Sequence, residues 1–142
     1  MTETAEPAPR ETSSAPAETR GQEARDAVVR ARLLALRDEA GARREALRGE
    51  VAGIVEASKD SNADDEHDPD GATIAFERAQ VGALQRLAEQ QSAEAEAALG
   101  RLDAGTYGTC ETCGRPVGEA RLDARPTARQ CIVCASAGRA AR

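Results

Sequence analysis

The only four cysteines of this 142-residue chain fall into two pairs. Cys110-x-x-Cys113 is followed, after seventeen residues, by Cys131-x-x-Cys134. Each C-x2-C turn puts two sulfurs on one side of an ion, and zinc takes four such ligands at tetrahedral corners. Two disulfides or a redox pair are the alternatives, but disulfides need an oxidising compartment and nothing in the sequence indicates export. The spacing therefore predicts one structural zinc ion with no ligand position left open for catalysis.

Outside the cysteines, the chain has little material for a large globular core. It contains one Phe, one Tyr and no Trp, and 31% of its residues are charged. This mix is typical of long solvated helices. The net charge of -6 argues against wholesale coating of nucleic acid. No apolar run approaches the about 20 residues of a membrane span, and the N-terminus has no hydrophobic signal segment, so we expect a cytoplasmic protein without membrane contact.

The N-terminal segment, residues 1–21, is predicted to be a disordered tail. It is rich in Thr, Glu, Ala, Ser and Pro and has almost no apolar bulk. Thr19-x-x-Gln22 has the form of a capping box, which predicts that a helix starts near residue 22 and runs to about residue 58.

Heptad spacing of apolar residues predicts that this helix and a second one pair along a seam. In the first helix the spacing falters at Arg43 and Arg44. Its seam positions are Val29, Leu33, Leu36 and Ala40, and then Leu47, Val51 and Ile54. The second helix should begin with Asp68 as N-cap and Pro69 as first residue, and end near Ala104 with Gly105 as C-cap. Its seam positions are Ile74, Val81, Leu84, Ala88, Gln91, Ala95, Ala98 and Leu102.

The predicted fold is all-α dominated: a long antiparallel coiled-coil hairpin joined to a small C4 zinc-finger domain. The hairpin spans 22–104, its acidic tip 59–71, and the zinc domain 105–142. About 33 residues per helix give a length of about 50 Å. An intermolecular coiled coil is the alternative, but the short polar turn favours pairing within the chain. Ile74 and Phe76 are expected to pack inside the hairpin, although an exposed Phe at 76 could contact a partner.

The zinc region resembles the DksA/TraR family of bacterial zinc-finger transcription regulators. The matching residues are Gly105-Thr-Tyr-Gly108-x-Cys110-x-x-Cys113-Gly114-x-Pro116-Val117, then Arg121-Leu122-x-Ala124-x-Pro126-x-Ala128, then the second cysteine pair. With the hairpin, the resemblance covers roughly residues 22–137. It implies a protein that binds RNA polymerase, inserts its coiled coil into the secondary channel, and does not recognise promoter DNA directly.

The resemblance also implies which residues act on the polymerase. The tip candidates are Asp65, Asp68 and Asp70, whose carboxylates would lie near the active centre. Well-studied members carry a D-x-x-D-x-A tip pattern; here Asp68 keeps its first position, but Gly71 and Thr73 replace the others.

The alarmone ppGpp is a weaker expectation for this chain. Longer members of the family continue into a basic C-terminal helix that helps to form a ppGpp site. Here the chain ends eight residues after Cys134, and its one lysine, Lys59, lies near the tip.

Basic residues of the zinc region are candidates for docking on the polymerase. They are Arg115, Arg121, Arg125 and Arg129. Equally, they could be surface charge around an anionic metal site. Two other functions remain open: a nucleic-acid-binding zinc ribbon and a coiled-coil adaptor stapled by zinc. An enzyme is not expected, because the sequence shows no nucleophile–base pair and no phosphate-binding glycine loop.

Overall fold

The computed structural model describes residues 15–61 and 69–140, with the side chains of 19–57 and 73–138. Four helices follow in chain order: α1 (Ala15–Ser61), α2 (Pro69–Asp103), α3 (Glu119–Ala124) and α4 (Ile132–Ala140). The two long helices pair with each other, whereas α3, α4 and the surrounding loops form a small zinc module over residues 105–140. The predicted all-α class, with a hairpin and a C4 zinc domain, is confirmed.

Contacts at two levels of the hairpin show that α1 and α2 run antiparallel. Arg30 on α1 meets Asp103 near the end of α2 at 2.6 Å, and Arg43 meets Gln91 at 3.3 Å. Residue numbers rise along α1 as they fall along α2, so the seam is closed within one chain. This arrangement favours the hairpin over an intermolecular coiled coil.

The start of α1 differs from the prediction. The helix begins at Ala15, so Thr19 lies inside it and does not cap it, and the predicted tail boundary at residue 21 is wrong. Pro16 lies in the first turn, where the missing N–H has no intrahelical partner to lose. Ala and Glu around it are good helix formers. At the other end, α2 starts at Pro69 as predicted.

The predicted seam forms the buried stripe of the hairpin. Its most buried members are Leu33, Ala40, Leu47, Ala88, Ala95, Ala98 and Leu102. Three predicted seam residues are exposed instead: Leu36 at 37%, Leu84 at 44%, and Gln91. The many alanines let the helix backbones approach closely, so the hairpin is narrow and depends on a few large buried side chains.

Where the apolar spacing falters on α1, polar groups connect the helices. Arg43 donates to the side-chain oxygen of Gln91 across the seam and also pairs with Glu39 at 2.8 Å. Both side chains are exposed, so this hydrogen bond links the interruption at Arg43 to the polar position Gln91 at the surface of the hairpin.

The junction after α2 is a Schellman turn. Gly105 has a φ of +69°, a conformation that L side chains rarely adopt. Its N–H donates to the Leu102 carbonyl, and the N–H of Thr106 donates to the Arg101 carbonyl at 2.9 Å. The predicted C-cap is thus confirmed, and it turns the chain directly into the zinc module.

Leu33 is the largest fully buried side chain of the hairpin, so its truncation tests the packing. We expect Leu33→Ala to lower the free energy of unfolding by about 2–5 kcal/mol, because the helices cannot fully close the cavity. Leu36→Ala, one turn away and 37% exposed, is the matched control. Urea titration followed by circular dichroism compares the two. Equal losses for both variants would contradict this account of the seam.

Candidate metal centre

The first cysteine pair lies in a tight loop closed by backbone hydrogen bonds. The N–H of Cys110 donates to the Arg115 carbonyl at 2.8 Å, and the N–H of Gly114 donates back to the Cys110 carbonyl at 2.9 Å. An antiparallel bridge between Thr109 and Pro116 joins the two sides of the loop. Gly114 has a φ of +70°, so glycine suits this reversal. The loop therefore points both sulfurs of the pair to one side.

The second pair lies at the start of α4. Cys131 immediately precedes the helix, and its carbonyl accepts the N–H of Ala135 at 3.0 Å. Cys134 follows within the first turn. The two halves of the module are joined where the N–H of Glu111 donates to the Arg129 carbonyl at 3.0 Å. A loop and a helix start are thereby held face to face, with their sulfurs between them.

The four sulfurs form one cluster whose dimensions suit zinc. All four Sγ atoms lie within 4.8 Å of one another. The distance between Cys113 and Cys131 is 3.8 Å. Four sulfurs at about 2.3 Å from a tetrahedral zinc ion are about 3.8 Å apart. The cysteines are free thiols, not disulfides, so the donor set and its spacing fit one structural zinc ion.

Neighbouring groups lower the pKa of two of the four thiols and raise that of a third. A hydrogen bond from the backbone of Cys131 is the main reason that the pKa of the Cys110 thiol falls to about 6. Arg115 donates through Nε to the Cys113 sulfur at 3.5 Å and lowers the pKa of that thiol. By contrast, hydrogen bonds with Cys113 and Cys131 raise the pKa of Cys134 to about 12. Adjacent thiolates repel each other, and a divalent cation relieves this repulsion, so metal binding releases protons.

A small apolar cluster packs against the sulfurs. Val117 and Ala128 are buried with Cys110 and Cys131, and Leu122 of α3 packs beside them. Among the described residues of the module, these side chains make up the only cluster of this kind. So few buried side chains cannot stabilise a module of this size, which therefore depends on its metal.

Comparisons with known proteins agree with this geometry. Residues 105–137 match the family model of the prokaryotic dksA/traR C4-type zinc finger. The solved structure of transcription factor DksA2 from Pseudomonas aeruginosa is 31% identical, with a TM-score of 0.68. That likeness covers 82% of this chain and 84% of the other, and so includes the hairpin as well as the zinc region. The chain belongs to the DksA/TraR family.

Curated relatives match mainly at the zinc finger. The RNA polymerase-binding transcription factor DksA of Haemophilus influenzae is 51% identical over 39 residues, or 28% of this chain and 27% of that protein. The protein of the same name from Caulobacter vibrioides is 54% identical over 35 residues, or 25% of each chain. These matches span about a quarter of the curated relatives' length. They support a C4 zinc finger of the DksA/TraR type. The evidence that the hairpin also belongs to this family is the likeness to the solved DksA2 structure.

Each candidate docking arginine of the zinc module has a partner inside the molecule. Arg115 donates to the Cys113 sulfur, and Arg121 donates through Nε to the Gln130 carbonyl at 2.8 Å. Arg125 pairs with Glu94 of α2 at 3.6 Å, and Arg129 with Glu111 at 3.4 Å. The structure thus assigns all four a local structural role. Arg125 and Arg129 still leave more than half of their side chains exposed, and a docking role stays a prediction for all four arginines.

Of the tip candidates, only the backbone of Asp70 belongs to the described residues. Asp65 and Asp68 fall outside them. Asp70 is the second residue of α2, and its side chain also falls outside them. The start of α2 lies at the opposite end of that helix from the zinc module, so a role for Asp70 would be exerted far from the metal.

Sequence reasoning missed the residues that join the module to the hairpin. Arg32 of α1 donates to the Asp123 carbonyl at 2.6 Å, and Arg101 of α2 donates to the Thr127 carbonyl at 3.2 Å. Nothing in the heptad pattern distinguishes these arginines from other polar positions. Their partners are main-chain carbonyls, which a sequence pattern does not reveal.

Across residues 15–61 and 69–140, no helix is both long enough and apolar enough to cross a membrane.

Proposed function

We propose that this protein regulates transcription by binding RNA polymerase and inserting the acidic tip of its hairpin into the secondary channel. The observation that carries the proposal is a narrow hairpin extending well beyond a zinc module of the DksA/TraR type. The relatives named above are described as RNA polymerase-binding transcription factors. Membership of their family supports the same partner here.

The dimensions of the hairpin suit insertion into a channel. The groove between hairpin and module reaches as far towards the tip as Leu87 on α2 and Arg43 on α1. From Pro69 to Leu87, α2 rises about 27 Å at 1.5 Å per residue. This stretch of the hairpin is two helices wide and is long enough to carry the tip away from a docked module.

The chemistry of the tip suits a basic or metal-containing surface. Residues 60–70 include Asp60, Asp64, Asp65, Glu66, Asp68 and Asp70. Carboxylates form charge-assisted hydrogen bonds with Arg and Lys, and they can approach a Mg²⁺ ion. Asp68 and Asp70 flank Pro69 in the sequence, and Asp70 is the second residue of α2. They are the best candidates for contact near the polymerase active centre, with Asp65 as a third.

The charge balance of the module favours a protein partner over DNA. Arg121 donates to a main-chain carbonyl, and Arg125 and Arg129 pair with carboxylates. Side chains occupied in this way neutralise fewer phosphates. Sequence-specific DNA recognition is therefore not part of the proposal, and a contribution of ppGpp is left to the binding experiment.

Gel filtration with purified RNA polymerase core tests the proposal. We expect the zinc-loaded protein to elute with the core enzyme and to change transcript yield from a purified promoter, with and without added ppGpp. Cys131→Ser, which lacks one metal ligand, should elute separately. The proposal fails if the zinc-loaded wild type neither co-elutes with the core enzyme nor changes transcript yield.

A further inference from the structure

Arg101, in the last turn of α2, lies at the junction of the hairpin and the zinc module. Only 12% of its side chain is exposed. One guanidinium nitrogen, Nη1, lies 3.3 Å from Oε1 of Glu111, and the other, Nη2, donates to the Thr127 carbonyl at 3.2 Å. A single side chain of the hairpin therefore holds two separate points of the module.

The two partners of Arg101 belong to different halves of the module. Glu111 lies between Cys110 and Cys113 in the first cysteine loop, whereas Thr127 lies in the segment that leads to Cys131. The carbonyl of Arg101 also accepts the N–H groups of Thr106 and Tyr107, which start the turn out of α2. The backbone and the side chain of Arg101 thus both make contacts at the junction between α2 and the module.

The other contacts across this junction involve more exposed side chains. Arg32 reaches a single acceptor, the Asp123 carbonyl, at 2.6 Å from an exposed position on α1. Glu94 of α2, 31% exposed, accepts from the Thr127 hydroxyl at 3.4 Å and pairs with Arg125 at 3.6 Å. Exposed ion pairs contribute little to stability, whereas a planar guanidinium with two acceptors adds both energy and direction. Arg101 is therefore the residue best placed to fix the angle between the hairpin and the zinc module.

We propose that Arg101 is a positioning residue that fixes the direction of the hairpin relative to the zinc module. Without the guanidinium the junction keeps the contacts of Arg32 and Glu94 and the turn through Gly105, and these allow the module a wider range of angles while both parts stay folded. The consequence for polymerase binding rests on the proposed function, because a docked module directs the tip only if the angle is fixed. If the competent angle is then populated about one time in ten, the apparent Kd rises about tenfold.

Residual dipolar couplings of backbone N–H bonds measure this angle directly in a protein of 14.9 kDa. In the zinc-loaded wild type, one alignment tensor should fit the hairpin and the module together. In Arg101→Gln the two parts should need separate tensors, with zinc content and helical signal unchanged. Arg101→Lys should restore the common tensor only in part, since one ammonium cannot occupy both acceptor positions. Arg30→Gln is the matched control, because Arg30 pairs with Asp103 at the same end of the hairpin.

One common tensor for Arg101→Gln, or full restoration by Arg101→Lys, would overturn the proposal. Loss of zinc or of the folded module in Arg101→Gln would also overturn it, because Arg101 would then serve the module's fold. Glu111→Gln, which removes one of the two contacts, should give an intermediate result, and wild-type behaviour in this variant would count against the two-point hold. These couplings are measured without polymerase, so they test the role of Arg101 even if the protein does not bind polymerase.

Discussion

Removing the metal will unfold residues 105–140 and leave most of the helical signal of the protein in place. Two C-x2-C turns and a handful of buried side chains form the module, with Cys110 and Cys131 at its centre. A structural zinc site contributes about 10–16 kcal/mol, which is as much as the whole stability of many domains. Without that contribution, the few buried side chains and hydrogen bonds are too weak to hold the exposed loops and the short helices α3 and α4 in place.

The hairpin should survive because its seam does not depend on the metal. α1 and α2 contain 47 and 35 residues, against 6 and 9 in α3 and α4. Circular dichroism at 222 nm should therefore fall only slightly when a chelator is added. Amide resonances of the module should collapse into the unfolded range at the same time. Quantitative release of zinc to a colorimetric chelator should give one ion per chain.

Two variants separate a metal effect from a general loss of stability. Cys131→Ser should reproduce the chelated state, whereas Ser136→Ala on the exposed side of α4 should bind zinc like the wild type. Acid should also release the metal, because protons compete with it for the thiolates. The pKa of Cys110 is lowered from 9.0 to about 6, so the stability that this thiolate contributes is complete above about pH 9 and is lost as pH falls from there through about 6. A module that keeps its dispersed resonances after complete chelation would refute the structural role of zinc.

Loss of the tip carboxylates should abolish most of the effect on transcription. Charge-assisted hydrogen bonds contribute about 1.5–3 kcal/mol each. Removing two of them with Asp68→Asn and Asp70→Asn should therefore raise the concentration needed for a half-maximal change in transcript yield by about a hundredfold. The zinc module is unchanged in this variant, so co-elution with the core enzyme should remain detectable at higher protein concentration. In vitro transcription over a range of protein concentrations measures the effect.

The matched control removes two negative charges as well, but from the exposed surface of α2. Glu89 and Glu96 are exposed on α2, far from the tip. Glu89→Gln combined with Glu96→Gln should leave the transcription curve close to that of the wild type. Asp65→Asn, tested alone, assigns the third candidate. Identical curves for the tip variant and the wild type would show that the tip carboxylates do not act.

The metal centre and the buried seam of the hairpin could be predicted from regular spacing in the sequence. Two cysteine pairs give the metal centre, and heptad positions such as Leu33 and Ala95 give the buried seam, because each depends on a fixed period or ligand count. The C-cap at Gly105 was predictable because glycine readily adopts the left-handed conformation that ends many helices. Phe76 shows the limit: it was expected to pack inside the hairpin, but it is 71% exposed on α2. Apolar character alone did not reveal which side of the helix it occupies.

Long-range contacts with main-chain atoms were not predictable. Arg32 and Arg101 hold carbonyls 91 and 26 residues away along the chain. The sequence presents both as ordinary surface arginines. Likewise, the hydrogen bond from Arg115 to the sulfur of Cys113 could not be predicted from the sequence. Only the folded module shows that its basic residues are largely committed to internal partners.

Site-specific crosslinking tests the central claim, insertion of the tip, most directly. A photo-reactive amino acid is placed at Asp70 near the tip and, in a second variant, at Ile132, which is 63% exposed on the zinc module. Each variant is irradiated in complex with RNA polymerase. The account predicts that position 70 crosslinks to the walls of the secondary channel close to the active centre, while position 132 crosslinks to the outer surface or not at all. Crosslinks from position 70 to the outer surface alone, in a complex that still forms, would contradict insertion.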